Sequence, residues 1–190
     1  MGCRRLGCTF GQLPLLEFDG HILCQSAAIL RYLGRKYNLA GKDELESAHI
    51  DEIGDAALDF MLGKYACFPV FMISFRAVNR LNFKTTAFTP IFSEKDETKK
   101  LEMTKAAAAT VTERFLKKFD ALVEKNGGYL VNNSLTWADI SVAHIIDQIE
   151  RIMSIKLISD DMPGLKKLAD NVFNAKGIKE WIAKRPQTHA

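Results

Sequence analysis

Ser26 is the first residue in the chain whose type and setting could do chemistry. It follows the apolar run Ile22-Leu23-Cys24 and precedes Ile29, Tyr32, Leu33 and Tyr37, which recur at helical spacing. A hydroxyl at a helix start either caps the helix or joins the free N–H groups there in holding a carboxylate, and both readings stand. The side-chain amide of Gln25 could serve the same carboxylate-bearing end of a ligand. Pro14 reads on its own as a strand-start proline. Asp59 reads as a solvated charge on a helix, and its neighbours Phe60 and Met61 as core. His21 and Cys24 lie three apart on a predicted strand, so they point to opposite faces and cannot hold one metal ion together. No CxxC is present, and no metal site is expected.

The elements that must position these residues are legible in turn. Leu13-Pro14-Leu15-Leu16-Glu17-Phe18 and His21-Ile22-Leu23-Cys24 flank Asp19-Gly20. Two apolar runs around Asp-Gly predict a hairpin, because a type I′ turn needs positive φ at both central residues. Ser26 then caps a helix that Asn38-Leu39-Ala40-Gly41 ends. From Asp43 the pattern is helical. One stripe runs Ile50, Ile53, Ala57, Phe60, Met61, a second Val111, Phe115, Phe119, Leu122, and a third Val142, Ile145, Ile149, Ile152. Gly127-Gly128 closes the second. Two shorter helices follow, one from near Pro163 and one carrying Ile178, Trp181 and Ile182 before Pro186. Thr136-Trp137-Ala138-Asp139 is a capping box, with Leu135 and Ile140 at the staple positions; it starts a core helix and performs no chemistry. The architecture is mainly α with a small β part, divided as residues 1–41 and 42–190.

One stretch departs from this pattern. Between Asp59 and Glu94 there is no Asp or Glu, while Phe68, Phe71, Phe75, Phe83, Phe88 and Phe92 crowd in. Pro69 breaks or kinks any helix there. A hydrophobic insertion, a membrane-surface segment and sequence foreign to the mature protein are the three readings.

Composition narrows the function. The 190 residues, 47% of them hydrophobic, suffice for one ordinary domain or two small ones. A net charge of +3, with its basic pairs scattered over helix-like stretches, gives no phosphate-binding patch, so no nucleic-acid partner is expected. No run approaches the roughly 18 apolar residues of a membrane span, and the first residues lack a signal's apolar core. Gly2 opens like a myristoylation site, but Leu6 stands where Ser or Thr is wanted. The expected place is the cytosol, with Cys3, Cys8, Cys24 and Cys67 reduced.

Gln12-Leu13-Pro14 before the hairpin and Gln25-Ser26 after it resemble the glutathione-binding signature of glutathione S-transferases. The capping box resembles the one in that family's helical domain. Ile178-Lys179-Glu180-Trp181-Ile182 through Lys184-Arg185-Pro186-Gln187-Thr188 resembles the C-terminal helix of the sigma class, which includes invertebrate detoxification enzymes, glutathione-dependent prostaglandin D synthase and S-crystallins. The resemblance implies a partial thioredoxin-like domain, hairpin plus helix, followed by an all-α domain. It implies glutathione as co-substrate, held by Gln12, Leu13, Pro14, Gln25 and Ser26, with a cis bond before Pro14 and the backbone of Leu13 pairing with the peptide. Asp59 matches the acid that sigma enzymes lend across a homodimer, and Phe60 and Met61 the border of the electrophile pocket. Leu58 stands where the prostaglandin synthases carry another Asp, which argues against their divalent-metal effect.

The resemblance also implies a gap. The family's first strand–helix–strand unit would precede Phe10, and its strand carries the tyrosine that donates to the glutathione sulfur and favours the thiolate. Tyr32, Tyr37, Tyr65 and Tyr129 lie in other segments, so no catalytic tyrosine is nominated. Gly63-Lys64-Tyr65 can be encoded by GGTAAGTAT, the look of an intron start, so about 64–88 reads as a doubtful insertion or as intron read-through in a gene prediction that also omits its first exons. The expected function is a sigma-type transferase joining glutathione to small electrophiles, or isomerising a prostaglandin. The alternative is a non-catalytic, crystallin-like or regulatory homologue. A protein-interaction module unrelated to glutathione would make the ordered motifs coincidence.

Overall fold

A computed structural model of the chain describes residues 10–11, 13–62, 91 and 94–186. Gln12, Tyr65 and the doubtful segment 64–88 lie outside the described residues.

The Asp-Gly turn does what its residue types dictate. Strands β1 (Leu15–Phe18) and β2 (His21–Cys24) pair antiparallel, with Leu15 opposite Cys24 and Phe18 opposite His21. Asp19 and Gly20 both have positive φ, 46° and 77°. As alternation requires, Cys24 is buried while His21 is exposed. Helix α1 (Ser26–Lys36) follows at once. Its first residue is Ser26 and its cap position is Gln25, so the expectation that Ser26 itself caps is corrected by one residue. The chain leaves β2 and enters the helix through a single residue, and that residue must take the non-helical dihedrals.

Helix α2 (Glu44–Leu62) starts where Asp43 accepts from the amide of Glu46 at 2.8 Å. It buries Ile50, Ala57 and Phe60, with Met61 turned outward. After residue 94, Asp96 caps α3 (Glu97–Val111) by accepting from the amides of Thr98 and Lys99. Helix α3 runs through a π-helical turn, Thr112–Leu116, into α4 (Lys117–Lys125). That turn corrects the second predicted stripe. A π turn makes residues five apart share a face, so Val111 and Leu116 are both fully buried and Phe115 is only partly so.

Helix α5 (Trp137–Met153) carries the capping box as read: Asp139 accepts from the Thr136 amide at 2.7 Å, and the Thr136 hydroxyl from the Asp139 amide. The same carboxylate accepts from the amide of Leu130, tying the preceding loop to the helix start. Burial pushes the Asp139 carboxyl above its usual range, outweighing the bonds from Thr136 and Leu130. Helix α6 (Pro163–Phe173) has no cap of its own; Asp120 of α4 accepts from the Leu165 amide instead. Helix α7 (Lys176–Lys184) buries no residue fully, and Trp181 is 62% exposed. Along α5, Val142, Ile145 and Ile149 are buried as predicted, but Ile152 is 42% exposed and Met153 packs inward in its stead. The core therefore lies among α2, the π turn, α4, α5 and α6. No helix among the described residues is long and apolar enough to cross a membrane.

Candidate functional site at the open end of the hairpin

The hairpin register decides which predicted residues meet. With Leu15 opposite Cys24, the next residues outward on the two arms are Pro14 and Gln25, and beyond them Leu13 and Ser26. The end of the hairpin away from the turn thus gathers four of the predicted residues. The Leu13–Pro14 peptide bond is cis. Leu13 is 66% exposed, at a position where an extended peptide could lie alongside the chain.

Gln25 has φ 74° and ψ 115°, a region that side chains with a Cβ rarely occupy. This dihedral follows from the abrupt strand-to-helix junction. It aims the first amides of α1 at the open end, and Ile29 returns its own amide to the Gln25 carbonyl at 3.0 Å. The first turn of α1 holds no acidic residue, while Arg35 and Lys36 sit in the last turn. Its partial positive charge is therefore not cancelled by a neighbouring acid within the helix. A carboxylate placed there meets N–H donors and the Ser26 hydroxyl together.

The remaining predicted residues lie elsewhere. Asp59 is exposed on α2 and lines a groove of about 420 Å³ with Ile53, Ala56, Arg114, Phe115 and Lys118, between α2 and the π turn and α4. Phe60 has no exposed surface, its ring centroid 6.0 Å from that of Phe115. Met61 is 37% exposed. Tyr32 stacks on Phe18 at 4.7 Å, and Tyr37 is exposed just past the end of α1.

Two features of this region have no counterpart in the sequence reading. Arg31 of α1 pairs with Asp51 at 3.2 Å and Asp55 at 2.5 Å on α2, fixing the two helices together. Trp137 stands between the same helices, beside Gly34 and Gly54. The available signal was a glycine inside each of two helices, where its propensity cost calls for a reason in packing.

Known proteins resemble this chain over most of its length. A family model described as "Glutathione S-transferase, C-terminal domain" matches residues 82–185, more than half of the chain, and one described as "Glutathione S-transferase, N-terminal domain" matches residues 6–35. Glutathione S-transferase 1 of Ascaris suum is 38% identical over 183 residues, covering 94% of this chain and 76% of that protein. The structure of prostaglandin synthase D of Nilaparvata lugens superimposes with a TM-score of 0.71 at 34% identity, covering 95% of this chain and 77% of that one. The crystal structure of monomeric Na-GST-3, a glutathione S-transferase of the hookworm Necator americanus, gives 0.67 at 32% identity, with coverage of 95% and 77%. The chain thus spans about three quarters of the length of these relatives. By the match to more than half its length, and by an identity above a third to a relative it mostly covers, this chain belongs to the glutathione S-transferase family.

Proposed function

We propose that the chain binds glutathione at the open end of the hairpin as a sigma-type transferase. The observation that carries this is the juxtaposition, at one hairpin end, of the exposed Leu13 and the N-terminus of α1. The γ-glutamyl carboxylate takes the amides of the first turn and the Ser26 hydroxyl, with the Gln25 amide beside them. The cysteinyl residue pairs with the backbone of Leu13 like an added strand, and Gln12 and Pro14 flank it. The glutathione thiol first gives its proton to solvent; the thiolate then attacks the electrophile, and with an aryl halide the S–C bond forms as the carbon–halogen bond breaks and halide leaves. None of Tyr32, Tyr37 and Tyr129 is assigned to the sulfur in this reading. Electrophiles border Met61, with Phe60 beneath it. Prostaglandin isomerisation is a second outcome of the same thiolate, suggested by the Nilaparvata lugens structure. In this reading the protein works in the cytosol as a homodimer, Asp59 reaching the glutathione of the other subunit, and needs no metal.

Calorimetric titration of glutathione into the full chain tests the reading. Ser26→Ala removes one hydrogen bond to a charged group, so affinity falls about tenfold to a hundredfold. Equal binding by both forms moves the carboxylate elsewhere, and no binding by the native chain overturns the proposal. Binding without conjugation of an aryl halide favours the non-catalytic, crystallin-like homologue.

A further inference from the structure

Trp137 is the first residue of α5, yet its indole lies between two other helices. A Cβ built on Gly34 of α1 would stand 2.6 Å from its Cδ1, and one built on Gly54 of α2 would stand 1.9 Å from its Cη2. Neither glycine has a positive φ, so each is needed for space and not for backbone conformation. Arg31 lies over the same ring, 5.7 Å from its centroid, while it pairs with Asp51 and Asp55. The Trp137 amide donates to the carbonyl of Leu39, just past α1, at 3.0 Å. The indole is 3% exposed, and its Nε1 has no hydrogen-bond partner among the described residues. Shape and the Arg31 cation over its face therefore hold the ring without a hydrogen bond, at the expense of one buried donor.

The base of this wedge is rigid. Thr136 and Asp139 lock the start of α5, and Asp139 is wholly buried. Gly34 sits eight residues along α1 from Ser26, which is about 12 Å of helix. A displacement at Gly34 is carried by that helix to the amides that meet the ligand, and such donors tolerate misplacement of only about 0.5 Å.

We propose that Trp137, wedged between Gly34 and Gly54, is a positioning residue that sets where the N-terminus of α1 presents its amides and Ser26 to glutathione. The inference rests on the glutathione reading above, and the experiment separates the two. Gly34→Ala, Trp137→Phe and the double variant Gly34→Ala/Trp137→Phe are compared with the native full chain by glutathione titration, thermal melting and the backbone amide chemical shifts of Gln25–Ile29 without ligand.

Gly34→Ala is expected to weaken glutathione about tenfold and to move the Gln25–Ile29 shifts. The double variant, with a smaller ring facing the new methyl, is expected to recover most of both. Affinity and shifts that stay native in Gly34→Ala and Trp137→Phe, whatever their melting temperatures, overturn the proposal. So does a loss of affinity that simply follows the melting temperature with no movement of the shifts. Should Gly34→Ala fail to fold, Trp137→Phe reads the same two quantities. A native chain that does not bind glutathione sinks the ligand reading alone, because the shifts still decide the wedge.

Discussion

Gln25 holds dihedrals that cost a side chain of its type about 1–3 kcal/mol, and it does so where β2 meets α1 without a loop. Replacing it with glycine removes that steric cost while losing the side-chain amide. Gln25→Gly should therefore raise the urea midpoint, by about 1 kcal/mol of stability, and lower glutathione affinity. A variant that gains stability and binds as before would remove Gln25 from the site. Residue types made part of this candidate site's geometry readable, since a serine opening an apolar helix after an Asp-Gly hairpin is a local signal. The one-residue offset between cap and first turn was not readable, because it depends on the positive φ of a residue that is not glycine. Phe60 shows the same boundary: the stripe gives its burial, but nothing local tells a core ring from a pocket ring.

Among the elements, the start of α5 concentrates the most buried polar partners. Asp139 satisfies the amides of Leu130 and Thr136 and accepts the Thr136 hydroxyl, all out of water. Asp139→Ala strands those donors and is expected to destabilise the chain by about 3 kcal/mol or more, measured by denaturant unfolding. Asp139→Asn keeps an acceptor and should lose clearly less; equal losses would show that charge and not hydrogen bonding carries the motif. This box was legible because its partners lie three residues apart. The swap of Phe115 for Leu116 in the core was not, since regular helical spacing is the assumption that a π turn breaks. The cap of α6 was hidden for another reason: Asp120 is 45 residues away from the amide it serves.

At the scale of the molecule, α7 leans on α5 and α6 across a groove of about 650 Å³ that includes His144, Asp147, Trp181 and Arg185. His144 stays exposed at this groove, and partial desolvation there lowers its pKa from the usual value, with Asp147 opposing the shift and Arg151 and Arg185 adding to it. Its unfolded form then binds a proton more readily than its folded form, so stability falls as pH drops from about 6.5 toward the folded value. Melting temperatures across that window should decline more steeply for the native chain than for His144→Gln; parallel curves would mean the imidazole is not held neutral. Oligomeric state is tested through Asp59. If it serves the other subunit's ligand, Asp59→Asn weakens glutathione binding only at concentrations where sedimentation shows twice 21.3 kDa. A loss independent of concentration would place its effect within one chain. The order of a β piece before an all-helical domain was plain from periodicity, whereas the contact between them was not. Gly34, Gly54 and Trp137 are far apart in the chain, and only the packed structure shows one ring filling the space that both glycines leave.

The π turn at Thr112–Leu116 has a bearing on how the gene can change. Elsewhere in the long run from Glu97 to Lys125, losing one codon would rotate everything downstream by about 100° and turn its apolar stripe away from the core. Within the π turn the same loss brings Val111 and Leu116 to ordinary α-helical spacing, with both still facing inward. This one turn is where the helix can shorten by a residue and keep its register with α2, α5 and α6.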